Sequence, residues 1–280
     1  MIYIDFYKDF FCKADKCRHS CCRAGWEIDI DKNTAEYYKI MPGELGDKVR
    51  ANAVLEPGAG EEPHLKMNNG SCPMLLENGL CEIVKTCGED RLCDICHLHP
   101  RFYGEYEGME YAGVGLCCEK SCELLLNSEE QLGFLTDSND NYSLLKDISA
   151  LEYSPEFTVE DIAELLDIYS RTEPLNEAWT KHISDMRASV DSIKERVDNY
   201  TKEYNRAKYN RIFAYIVYRQ IDRLYDYSWE DLKTYALICT DFIFIEDAII
   251  CDTAEAVRIF SEQIEYCPEN VDMIFDYVAV

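Results

Sequence analysis

Residues 12–22 read CKADKCRHSCC. Four cysteines, Cys12, Cys17, Cys21 and Cys22, fall in eleven positions, and the last two are adjacent. Thiols this dense belong to a disulfide framework, a metal site or a redox centre. The chain holds 15 cysteines, an odd number that sits badly with a closed disulfide framework. The opening MIYIDFYKDFFCKADK lacks a basic n-region and a small-residue cleavage site, so no secretory signal is read and a cytoplasmic location is expected. Thiols in the cytosol stay reduced, and clustered ones there bind metal or carry redox chemistry more often than they form disulfides.

Working outward, twelve of the 15 cysteines precede residue 123. Their spacings are Cys12-x4-Cys17-x3-Cys21-Cys22, Cys72-x8-Cys81, Cys93-x2-Cys96 and Cys117-Cys118-x3-Cys122, with Cys87 between. A lone CxxC is weak evidence, but four separate clusters predict a metal centre. Thiolate is a soft donor, and sets of four suit zinc or an iron–sulfur cluster. Both take tetrahedral sulfur ligation, so spacing does not choose between them. His19, His97 and His99 lie inside the clusters and could replace a thiolate or hydrogen-bond to a sulfur, although a structural role is the more common one.

Three sharper motifs fall away. CDICH, Cys93 to His97, matches the c-type haem attachment pattern, but that chemistry belongs to exported proteins. VLEPGAGEE, Val54 to Glu62, resembles the glycine loop that holds S-adenosylmethionine in Rossmann-type methyltransferases, yet DKVRANA before it does not read as a strand and Pro63 follows almost at once, so a surface loop is expected. The radical-enzyme motif CxxxCxxC begins at Cys17-x3-Cys21 and fails at Cys22.

The composition of the 280 residues is globular, 47% hydrophobic, without a run of 18 apolar residues, so no membrane span is expected. The net charge of −26 divides unevenly, −8 over residues 1–125 and −18 beyond. A surface this acidic repels nucleic acid and attracts basic partners, such as a lysine-bearing protein surface. The expected fold is mainly α: an irregular cysteine-rich metal-binding region over 1–128, then a helical bundle over 129–280. In the first region NTAEYYKIM and GDKVRANAVL read as short helices. SCPMLLENGLCEI reads as a hairpin turned at Asn78-Gly79, with Cys72 and Cys81 on its arms. In the second, Thr158 to Asp161 reads as a capped helix start. Apolar residues recurring at three and four then predict about five helices, punctuated by Pro155 and Pro174. The long periodic stretch AWTKHISDMRASVDSIKERVDNYTKEY is one continuous segment in that reading. Cys239, Cys251 and Cys267 are expected as buried core thiols.

Taken in order, CxxxCC followed by Trp26 and IDID, then CPMLLENGLCEI, GEDRLCDICHLHPRF and LCCEKSCELLL, resemble the flagellin lysine N-methylase family, which belongs with the CxxCxxCC-type cysteine-cluster proteins. The resemblance extends into YNRIFAYIVYR and VRIFSEQIEYCPENVD and is most specific over residues 10–126. It implies a 4Fe-4S cluster, with zinc as the alternative. It also implies methyl transfer from S-adenosylmethionine to lysine side chains of flagellin or another lysine-rich protein, without nucleic-acid or membrane partners. The matching positions are Cys12, Cys17, Cys21, Cys22, Cys72, Cys81, Cys93, Cys96 and Cys118, more than the four one cluster needs. Cys87, Cys117 and Cys122 are additions, and Cys96-His97 and Cys118-Glu119-Lys120 depart from the family's usual local sequence. Trp26, Arg50, Pro100 and Arg101 also match. Arg101 is a candidate for the donor's carboxylate, beside the reading of a structural ion pair. No residue is singled out as catalytic. The competing reading is a zinc or iron–sulfur module with a structural or redox role and no transferase activity.

Overall fold

A computed structural model describes residues 1–137 and 142–279. In chain order, β1 is Ile2–Ile4, α1 Lys32–Ile40, α2 Gly43–Ala51, β2 Ala53–Val54, β3 His64–Leu65, α3 Glu82–Cys87 and α4 Asp94–Leu98. There follow β4 Arg101–Tyr106, β5 Met109–Val114, α5 Glu119–Leu126, β6 Phe134–Thr136, α6 Ser143–Ser149, α7 Val159–Tyr169, α8 Glu177–Arg187 and α9 Val190–Tyr200. The last four are α10 Arg206–Arg219, α11 Trp229–Ile250, α12 Thr253–Phe260 and α13 Pro268–Val278. With 56% of residues helical and 10% in strands, the protein is mainly α. None of the described helices is long and apolar enough to cross a membrane.

The chain divides into two compact units, one from Phe11 to Arg101 and the other joining Met1–Phe10 to everything from Phe102 on. The division therefore falls at positions other than the expected boundary near residue 128. The first ten residues and the β4–β5 hairpin belong with the helices.

That assignment follows from a sheet that local pattern did not announce. In the larger unit four strands line up in the order β4-β5-β1-β6. β1 runs parallel to β5, pairing Ile2 with Tyr111, and antiparallel to β6, pairing Ile4 with Phe134. β4 and β5 join through Glu107 and Gly108, both at positive φ (48° and 80°), the geometry of a tight hairpin turn. α10 lies on the sheet: the hydroxyls of Tyr215 and Tyr218 each donate at 3.0 Å, to the carbonyls of Val114 and Ala112. Arg211, 1% exposed, holds the N-terminal strand by pairing both terminal nitrogens with Asp5 at 3.0 and 3.1 Å. It also donates to the carbonyls of Leu125, Glu130 and Gln131.

α11 is the centre of the bundle. Its 22 residues are buried on most of their circumference, from Leu232 to Ala248, as expected of a helix surrounded by others. From Val159 on there are seven described α-helices rather than about five. The long periodic stretch breaks at Ala188 and Ser189, where α8 ends and α9 begins. The start at Thr158 is as expected: its side chain accepts from the Asp161 N–H at 3.0 Å, and Asp161 returns the bond at 2.7 Å. Of the three late cysteines Cys239 is fully buried, Cys251 is exposed in a left-handed helix cap, and Cys267 is half-buried with its thiol donating to Glu269.

The smaller unit has its own core of Ile28, Ile30, Tyr38, Met41, Leu45, Val49, Leu65, Met74 and Ile83, joined by Cys72 and Cys93. α1 and α2 form as the sequence suggested, although the second ends at Ala51 and gives way to β2. Arg50, one of the resemblance positions, closes the C-terminal end of α1. Its Nη1 donates to the carbonyls of Tyr38, Lys39 and Met41, and Nη2 to Asp47 at 2.6 Å.

Candidate metal centre

Backbone bonds draw cysteines of the smaller unit together before their side chains are considered. The carbonyl of Cys22 accepts from the N–H of Cys72 at 2.8 Å, so the end of CKADKCRHSCC lies beside the start of SCPMLLENGLCEI. That second stretch turns at Asn78-Gly79, with Gly79 at φ +83° and the Leu76 N–H on the Leu80 carbonyl at 2.9 Å. Only one bridge pairs its arms, Leu75 with Cys81, so it is a tight turn rather than a laddered hairpin. A side chain at Gly79 would stand 3.3 Å from the Asp15 backbone, which shows the turn packed on the first cysteine loop. Cys81 then caps α3 and Cys93 caps α4, with the Cys96 N–H on the Cys93 carbonyl at 3.0 Å. Asp31 anchors α4. One carboxylate oxygen caps α1 through Thr34 at 2.9 Å, and the other accepts from the Asp94 N–H at 3.1 Å.

The outcome is a set of five thiols, Cys22, Cys72, Cys81, Cys93 and Cys96, close enough to bias one another's ionisation. A hydrogen bond from Cys21 pulls Cys22 down to about 7 against the effect of burial. A bond from the Cys96 thiol holds Cys93 below the ordinary thiol range, and the same bond, with burial, drives Cys96 far above it. Burial lifts Cys72 to about 11 and raises Cys81. Two thiolate-prone sulfurs thus sit among three that stay protonated without a nearby cation. Tyr38 forms a wall of this set: burial, and then the sulfurs of Cys93, Cys96 and Cys81, push its phenol up, and its hydroxyl donates to the Arg91 carbonyl at 2.8 Å. Tyr38 and Asp31 were not singled out in the sequence, although the DKNT that follows Ile30 carries the signature of a capped helix start.

The other candidates are placed differently. Cys12 and Cys21 are exposed and Cys17 is half-buried, all in short 3-10 turns or the loops around them. Cys118 caps α5 in the larger unit, where Cys117 and Cys122 are buried and the Cys122 thiol donates to the Leu116 carbonyl. His19 and His97 are exposed. His99 packs edge-on to Trp26 at 5.3 Å, and burial lowers its imidazole to about 4, which keeps it neutral. Arg101 opens β4.

In kind, the five sulfurs fit a thiophilic centre, since soft donors brought together in a partly apolar setting are what zinc or an iron–sulfur cluster takes. In arrangement, no group of three or more His, Cys, Asp or Glu side chains among the described residues stands ready to hold a metal ion.

Comparison with known proteins yields distant relatives. Over 131 residues, 45% of the chain, it is 27% identical to the lysine-N-methylases of Salmonella choleraesuis and Salmonella typhimurium, covering 32% of each. Over a stretch of the same length it is 26% identical to the flagellar biosynthetic protein FliU of Salmonella muenchen, covering 77% of it. The chain thus matches about a third of the length of the two methylases. No protein-family profile and no solved structure matches it.

Proposed function

We propose that the chain is a lysine N-methyltransferase, or the cysteine-bearing part of one, acting on flagellin or another lysine-rich protein. The observation that carries the reading is the 131-residue similarity to proteins named lysine-N-methylase. Methyl transfer from S-adenosylmethionine would move a CH3 group from the sulfonium to the lysine nitrogen, release the neutral thioether and lose one proton from the amine. A lysine at its reference pKa of about 10.4 is protonated and has no lone pair, so the site must desolvate it or take its proton first. The net charge of −26 favours approach of a lysine-rich surface, an attraction that salt screens.

In this reading Cys22, Cys72, Cys81, Cys93 and Cys96 supply the ligands of a 4Fe-4S cluster or of zinc, with Cys12, Cys17 and Cys21 on the adjoining loop. The support is their convergence and the chemistry of the donors. When bound, such a centre would cross-link three segments far apart in sequence and keep their sulfurs ionised. Cys93 and Cys96 hold one helix start, Cys81 another, and Cys22 and Cys72 the backbone bond between them.

A second reading has its own observation. Cys72 and Cys93 are packed into the apolar core of the smaller unit, as a centre that only holds the fold together would be. The two separate by experiment. Protein purified without oxygen is assayed for iron, sulfide and zinc, then incubated with flagellin and isotope-labelled S-adenosylmethionine. Label on lysine that disappears in the Cys93→Ser variant supports the enzyme. A full complement of metal with no label transferred to flagellin or to other lysine-rich proteins sinks it in favour of the structural module.

A further inference from the structure

The larger unit holds a second site that the thiol chemistry does not use. A cavity of about 270 Å³ lies between the end of α10 and the start of α13, lined by Arg219, Gln220, Asp222, Arg223, Asp226, Glu265, Pro268 and Val271. We propose that it binds the zwitterionic head of an α-amino acid, with the carboxylate on Arg219 and Arg223 and the ammonium on Glu265 and the acids at the rim.

Two buried side-chain atoms here lack the hydrogen bond that a folded interior normally provides. Glu265 is 6% exposed, and its Oε2 accepts from Ser261 at 2.5 Å, but its Oε1 is buried without a hydrogen bond. The Nε of Arg219 is also buried and unbonded, while its guanidinium carbon stands over Phe102, 3.9 Å from the ring centroid. Stacking orients a guanidinium without consuming its donors, and this is how an arginine is left poised for a planar carboxylate. Arg219 and Glu265 are close enough to offset each other's charge. A buried polar atom left without a hydrogen bond is still costly, and a ligand that donates to Glu265 and accepts from Arg219 completes both.

The surroundings build this arrangement deliberately. Residues Ser261–Glu265 form one turn of π-helix after α12, a widening that recurs at functional sites and here turns Glu265 inward. Gly113 leaves the space that the Phe102 ring fills, since a Cβ there would overlap it. Arg223 is fixed by Asp272 at 2.6 Å and packs over Phe275. Asp222 is held by its backbone N–H on the Tyr111 hydroxyl at 3.2 Å, and it and Asp226 stand exposed at the rim.

The mixture of signs selects the ligand. Two arginines against Asp222, Asp226 and Glu265 disfavour a simple anion, which would meet three carboxylates. They equally disfavour a simple amine, which would meet two guanidinium groups. A head carrying both charges, a bond or two apart, satisfies both. Pro268 and Val271 give an apolar side for an aliphatic side chain. The volume lies just below the ~300–1,000 Å³ of pockets that enclose drug-sized ligands, so it suits an amino acid or the amino-acid end of a larger molecule.

The test titrates the full chain with L-methionine and with S-adenosylhomocysteine, which presents the same head on a nucleoside, and follows binding by calorimetry. Two counterparts, 3-(methylthio)propylamine and 4-(methylthio)butanoate, each lack one charge, and inorganic phosphate serves as a simple anion. The expected result is binding by at least one ligand with the complete head and at least tenfold weaker binding by both single-charge counterparts. Methionine binding identifies a free amino acid. Binding by S-adenosylhomocysteine alone identifies a conjugate in this cavity where Glu265→Gln weakens it. S-adenosylhomocysteine binding that Glu265→Gln leaves unchanged belongs to a methyl-donor site elsewhere and overturns the proposal. Glu265→Gln should weaken the complete ligand more than tenfold and leave the butanoate unaffected. Asp226→Asn, at the exposed rim, should keep the fold and weaken the complete ligand severalfold. Phosphate or a single-charge counterpart binding as well as the complete head would overturn the proposal. So would the absence of binding by every head-bearing ligand up to about 10 mM, a range in which even weak sites register.

Discussion

Single ionisable groups at the edge of the core set how the larger unit responds to pH. Asp241 sits on α11 and accepts from the Tyr153 hydroxyl at 2.7 Å, yet burial lifts its carboxyl from 3.8 to about 7. An acid raised on folding holds its proton longer in the native state, so it lowers stability as pH climbs from 3.8 to about 7 and changes nothing beyond. His182 acts in the same direction. Its ring nitrogen meets the fully buried Glu246 at 2.5 Å, and that bond raises the imidazole above 6.5. The stabilisation is complete below 6.5 and is lost as pH rises through the raised value. Urea unfolding should therefore show lower stability at pH 8 than at pH 5. At ~1.4 kcal/mol per unit the Asp241 shift is worth up to about 4 kcal/mol, and residual solvent contact reduces this to about 2. Asp241→Asn, whose amide oxygen can still accept from Tyr153, should recover about 2 kcal/mol at pH 8 and little at pH 4. A variant-to-wild-type difference that is flat between those pH values would refute the assignment. His182→Ala should cost about 3 kcal/mol by stranding Glu246 in the core, and a second change, Glu246→Gln, should return most of it in the same unfolding assay.

Caps and glycines decide where elements start and how closely they approach. The paired bonds of Thr158 with Asp161 and of Ser228 with Asp231 open α7 and α11 in the same way. Thr158→Ala should cost about 1 kcal/mol in denaturant midpoint. Gly115 is more exacting, because a Cβ there would overlap the Tyr266 hydroxyl and ring. Gly115→Ala should destabilise by about 1–3 kcal/mol, and an unchanged midpoint would show that Tyr266 swings away. The first kind of feature was legible in sequence, since TVED is a local chemical signature. The second was not, because YAGVG only declares a strand once the aromatic rings that fill its gaps are known. The sheet was hidden for the same reason. Its three-residue strands pair Ile2 with Tyr111 and Thr136, more than a hundred positions away, and no window of sequence holds both. The break between α8 and α9 escaped because Ala188-Ser189 carries neither glycine nor proline to mark it. In the thiol site, the spacings gave segments but not how they meet. They did not separate Cys118, in the larger unit, from the five cysteines that the Cys22–Cys72 backbone bond brings together.

At the scale of the whole molecule, the chain leaves one compact unit at Phe10 and returns to it at Phe102, having built a second between. The two differ in what stabilises them. The larger unit has an extensive core of aromatic and branched residues centred on α11. The smaller one has thirteen buried apolar residues, two of them cysteines, and α-helices of five to nine residues. A core that small supplies little stability by itself, and small domains ordinarily add a metal or disulfides. The unit that holds the convergent thiols is thus the one that needs a cross-link. If the five thiols hold the proposed metal, removing it from anaerobically purified protein with a chelator and an oxidant should raise amide hydrogen exchange by tenfold or more at Ile28–Ile30, α1, α3 and α4. The amides of α10 and α11, protected by their own core, should exchange at unchanged rates. Equal loss in both units would mean that the metal supports the protein as a whole. No loss in either would mean that the five thiols contribute nothing to the fold, and the case for a structural centre would fail while the methyl-transfer assay still stood.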